Sequence, residues 1–101
     1  MQEYVLIKML RYAATKCPED DFERICQKFK INGDDVTTIM SQEGKSFRDR
    51  LFKLFTIWRE RQPVAPDVVQ QKFIHAIDLV DLPRLVSQLR AITTYTKATR
   101  L

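Results

Sequence analysis

The stretch Ser46–Gln62, SFRDRLFKLFTIWRERQ, limits the fold more than any other part of the chain. Phe47, Leu51, Leu54, Phe55 and Trp58 recur at i, i+4, i+7, i+8 and i+11, which at 3.6 residues per turn puts all five on one side of a helix. Lys45, Arg48, Arg50, Lys53, Arg59 and Arg61 fall on the other side. No Gly or Pro interrupts the run, and Pro63 stops it. A stripe of aromatic and leucine side chains this long needs other elements to cover it. The expectation is a core formed around this helix, with its basic side outermost.

The remaining chain supplies elements of the right kind. Gln2–Lys16 carries Leu6, Met9, Leu10 and Ala13 at helical spacing, with Tyr4, Ile7 and Tyr12 off that stripe, either widening the buried face or lying exposed. Pro18 suits the first turn of a second helix, and Glu19, Asp20 and Asp21 meet the positive end of its dipole. Phe22, Ile25, Cys26 and Phe29 form its stripe, and Asn32-Gly33 reads as its end. Asp34 or Asp35 would cap a short third helix bearing Val36, Ile39 and Met40, closed by Gly44. Ser46, with Asp49 three residues on, resembles a capping box for the fourth.

After the stiff link Pro63-Val-Ala-Pro66, a fifth helix turns Val69, Phe73, Ala76, Ile77 and Val80 inward. Asp81 would cap a sixth, striped by Leu82, Leu85, Val86 and Leu89. Beyond Ile92 the periodicity fades among threonines, which disfavour helix. With only two glycines, the chain lacks the tight turns of a β-sandwich. The sum is an all-α, six-helix antiparallel bundle over residues 1–93, with a frayed or disordered tail at 94–101. Its expected core is Phe22, Ile25, Phe29, Phe47, Leu51, Leu54, Phe55, Trp58, Phe73, Ile77, Leu85 and Leu89.

Several function classes lose support at once. The lone His75 reads as a half-buried structural residue, and no Ser or Cys has a base arranged beside it, so the chain is read as no enzyme. Cys17 and Cys26 fit two reduced thiols, with Cys26 on an apolar stripe, and they are too few with His75 to bind a metal. No glycine-rich phosphate loop is present, and no cofactor is expected. No apolar run is long enough to insert in a membrane, and the reading is cytoplasmic.

Charge is sorted along the chain. Residues 17–43 hold seven acids and three bases, whereas residues 44–62 hold six bases and two acids. Complementary patches on different sides of one domain favour head-to-tail contacts, with charge orienting the encounter. The net charge of +4 and the basic fourth helix also raise an alternative, a small helical nucleic-acid-binding domain. Against it, the acids of the second and third helices would repel phosphate.

The order and spacing of FERICQKFKINGDDVTTI, LFKLFTIWRER and FIHAIDLVDLPRLVSQL resemble the death domain of the death-fold superfamily over about Phe22 to Ala91. The matching features are the turn Asn32–Asp35, the late Trp58 followed by charge, and the apolar-Asp-Leu turn within Leu79–Leu85. Phe22 stands where many relatives have Trp, and the Arg-x-Asp-Leu signature of death effector domains is absent.

The resemblance implies a death-fold bundle. Its function would be that of an adaptor docking on other death domains of receptors, adaptors, kinases or caspase-linked proteins in innate immune or apoptotic signalling, with homo-oligomers among the assemblies. By helix position it implies partner-binding roles for Asp20, Asp21, Asp34, Asp35, Arg48, Arg59 and Arg61.

Overall fold

The computed structural model describes residues 2–99, with side chains up to residue 94. Its elements are α1 (Gln2–Lys16), a 3-10 turn (Glu19–Asp21), α2 (Phe22–Lys28), α3 (Gly33–Met40), α4 (Phe47–Glu60), α5 (Pro66–Val80) and α6 (Pro83–Thr99). No strand occurs among the described residues, and the architecture is an all-α, six-helix bundle.

The helix ends show which local signals prevailed. Ser46 accepts the Asp49 N–H at 3.2 Å and opens α4. Pro66 takes the first position of α5, where a missing N–H costs nothing. Several boundaries differ from the sequence reading; α3, for one, ends at Met40 with Ser41 as its C-cap rather than at Gly44. Pro18 precedes the 3-10 turn rather than lying inside a longer second helix.

α2 ends at Lys28 and is closed by Lys30, not by Asn32-Gly33. Lys30 adopts φ +55°, its N–H bonds the Gln27 carbonyl, and the Ile31 N–H reaches back to the Cys26 carbonyl. This is a Schellman closure with a lysine in the position glycine favours. Asn32 is thereby free to cap α3, accepting the Asp34 N–H at 2.7 Å, which displaces Asp34 and Asp35 from that role. Asp81 does not cap α6. It closes α5 in the left-handed region with φ +71°.

The packing corrects the expected centre. α4 packs chiefly on α1 and α3, while α1 touches α4, α5 and α6, and α5 touches α1, α2 and α6. The hub is therefore the α1–α5 pair. α4 is charged over half its circumference and can bury only one side; α5 buries Val69, Gln70, Phe73, Ile74, Ala76, Ile77 and Val80. Where the stripes converge, Phe29, Phe55, Trp58 and Phe73 form an aromatic cluster with ring centroids 5.0–5.7 Å apart.

Ile25, Phe29, Leu51, Leu54, Phe55, Trp58, Phe73, Ile77, Leu85 and Leu89 are buried. Phe22 and Phe47 are not: each is half-buried, and the two meet edge-on at 5.8 Å beside the core. Both are the first residues of their helices, where one flank lacks a preceding turn. Met40 is exposed, and so are Tyr4 and Ile7. Cys17 is buried and Cys26 half-buried, the reverse of the emphasis the stripe suggested. His75 is exposed, because the buried arc of α5 passes through residues 73, 76 and 77 and leaves 75 opposite. The α6 backbone stays helical through Thr99, past the end of the apolar periodicity; Thr93 bonds the Arg90 carbonyl at 2.8 Å. Of the expected tail at 94–101, residues 100 and 101 lie outside the described residues, as do the side chains from 95 on.

Candidate protein-docking surfaces

The bases of α4 divide into committed and free. Arg59 Nη2 donates to Glu3 Oε2 at 2.7 Å, tying the end of α4 to the start of α1. Arg61 Nη1 donates to Asp35 Oδ2 at 2.5 Å, tying it to α3, and this bond holds the guanidinium above its ordinary pKa. Arg50 Nη2 donates to the Gln42 carbonyl at 2.8 Å and braces the α3–α4 connection. Lys45, Arg48 and Lys53 make no ion pair among the described residues and are exposed.

The acids divide in the same way. Asp21 pairs with Arg24 at 2.9 Å within one turn, and Asp35 is taken by Arg61. Glu19, Asp20, Glu23 and Asp34 are exposed and have no cation within ion-pair distance among the described residues. Of the seven residues expected to meet a partner, the fold therefore joins Asp35 to Arg61 internally and engages Asp21 and Arg59 with other side chains. Among the described residues it leaves Asp20, Asp34 and Arg48 without an ion pair.

One feature was invisible to sequence reasoning. α1 and α4 run antiparallel, and Arg11 lies over the half-buried Phe52 ring at 4.4 Å from its centroid. Arg11, Arg48 and Phe52 line a depression of about 340 Å³; Lys45, Lys53 and Phe52 line another of about 350 Å³. Asp49 lines both depressions as well, so the aromatic edge is flanked by four cations and one carboxylate. The cationic excess suits an acidic protein surface, since aromatic and arginine side chains dominate docking energetics. Phe52 sits at i+5 from Phe47, off the core stripe. That off-phase aromatic was the available signal, but its arginine neighbour comes from 41 positions away.

A family model described as the Lrrd1 death domain matches residues 6–93. The chain belongs to the Lrrd1 death domain family. Death domains are generally non-enzymatic protein-interaction modules that bind other death-fold domains. No curated protein and no solved structure matches the chain. In this death domain the matched segment takes in most of α1 and all of α2–α5, so every free charge named above lies within it. Among the described residues no three His, Cys, Asp or Glu side chains gather as a metal site requires, and no helix is long and apolar enough to cross a membrane. The Cys17 thiol is pushed up to about 12, chiefly by burial and secondarily by the Asp21 charge, which leaves it without thiolate character near neutral pH.

Proposed function

We propose that this death domain is an adaptor module that assembles with like-folded domains through charge-complementary contacts, in cytoplasmic signalling complexes of the innate immune or apoptotic kind. Acidic surfaces of the α2–α3 side, where Asp20 and Asp34 are two of the carboxylates unpaired among the described residues, dock on the basic surface of α4, where Arg48 is likewise unpaired. Arg59, Arg61, Asp21 and Asp35 border these surfaces and help shape them through their internal pairs. The observation that carries the reading is the sorting of unpaired charge: after the internal ion pairs among the described residues are subtracted, acids remain in excess at α2–α3, beside Lys28 and Lys30, and bases in excess along α1–α4, beside Asp49 and Glu60. Such charge raises encounter rates and fixes register more than it adds affinity. Each contact is small, and several together gain strength by multivalency.

The test is a charge swap read by light scattering. Arg48→Glu and Asp34→Lys should each weaken self-association or capture by a second death domain, with helicity unchanged, and mixing the two should recover it. Association undiminished in both single variants would remove these surfaces from the docking scheme. A gel shift with mixed DNA and RNA should show no binding; a salt-steep shift would transfer the basic surface to nucleic acid.

A further inference from the structure

The two ends of α2 carry opposite charge. Glu19, Asp20 and Glu23 stand at its start, exposed and unpaired among the described residues. At its far end Lys30 turns left-handed, and Lys28, Lys30 and Arg61 rim a depression of about 290 Å³ with Phe29, Ile31 and Trp58 beneath. Cations over an apolar floor strengthen their bonds to an arriving carboxylate, because less water competes for it. The rim already holds one carboxylate from its own chain, Asp35 on Arg61 at 2.5 Å. Lys28 and Lys30 pair with no acid among the described residues.

We propose that this depression receives the acidic turn Glu19–Glu23 of a second copy of the domain, so that copies stack head to tail along α2. The inference rests on the homotypic reading above and places its receiving cations at Lys28, Lys30 and Arg61, two of which lie outside the basic α4 segment. Donor and receiver lie about nine residues apart on one stretch of chain, roughly 14 Å at 1.5 Å per residue, so a copy cannot fill its own depression. Because the two patches differ, the contact is heterologous and leaves one donor and one receiver open at the ends of every stack. Arrival of the partner's carboxylates displaces Asp35 from Arg61, an exchange that costs little since both members of the pair are accessible to water.

Sedimentation velocity on the wild type and a set of charge variants tests this. Lys28→Glu/Lys30→Glu removes the receiver, and Glu19→Lys/Asp20→Lys removes the donor. All four positions are exposed, and circular dichroism checks that each variant is folded; Lys28→Gln/Lys30→Gln replaces the first should it unfold. The wild type is expected to form a concentration-dependent ladder, each variant alone to form a markedly shorter one, and an equimolar mixture to regain the single donor-to-receiver contact that the two variants can make together. Asp35→Asn, which frees Arg61, should tighten wild-type association about twofold to fivefold. A receiver variant that forms the ladder as the wild type does would overturn the α2 stacking and leave the homotypic reading standing. A wild type that stays monomeric throughout would overturn both.

Discussion

Replacing Trp58 by alanine tests the core at its most demanding point. The indole is 8% exposed and meets Phe29 edge-on at 5.3 Å and Phe73 at 5.7 Å. Truncation forfeits its transfer free energy and leaves a void between rings that are pinned by Phe55 and cannot slide inward. Large aromatic truncations of this kind cost about 3–5 kcal/mol, and two lost aromatic pairs, at about 0.5–1.5 kcal/mol each, favour the upper half of that range. Against a total stability of roughly 5–15 kcal/mol, the variant is marginal. For a domain of this size about 4–8 °C is lost per kcal/mol, so its Tm should fall by at least ~12 °C. Urea unfolding followed by far-ultraviolet circular dichroism measures this without relying on the deleted fluorophore. A lowered midpoint with an unchanged slope is expected. A loss under about 1 kcal/mol would mean that the aromatic cluster does not carry the fold.

Other perturbations probe single devices. Lys30→Gly should raise stability by about 0.5–1 kcal/mol in the same urea assay, because the left-handed φ of +55° suits glycine better than lysine. Ser46→Ala should cost about 1 kcal/mol by removing the acceptor for the Asp49 N–H; an unchanged midpoint would show that water caps α4 equally well. The Cys17 thiol is raised from 9.0 to about 12, so the unfolded chain loses this proton first. Its contribution to stability is full below pH 9 and is lost as pH rises toward 12, at about 1.4 kcal/mol per pH unit. Cys17→Ala should therefore flatten the alkaline limb of a Tm-against-pH curve, and identical limbs would place that thiol in contact with water.

The sequence disclosed the helices and most of the core because each stripe repeats over several turns. Residues 51, 54, 55 and 58 reinforce one another, and a misreading at one position is corrected by the rest. Ends have no such redundancy. Asn32, Gly33, Asp34 and Asp35 are all cap-competent, and the choice fell to Asn32 only because Lys30 took the left-handed turn first. Gln70 was legible and missed: it shares the phase of Phe73, Ile74 and Ile77, is buried, and donates to the Gln2 carbonyl and side-chain oxygens at 2.9 Å each. The candidate docking surfaces were legible only as segments of sorted charge. Which charges remain available depends on pairings such as Glu3 with Arg59 and Asp35 with Arg61, set by packing between helices far apart in sequence.

Sedimentation equilibrium of the isolated domain at about 0.05 M and about 0.5 M salt addresses the account most directly, since screening over this range shortens the reach of exposed charges to a few ångströms. Reversible assemblies should grow with concentration at low salt and dissolve at high salt while the helical signal holds constant. A single monomeric species under both conditions, or assemblies indifferent to salt, would contradict docking through complementary charge.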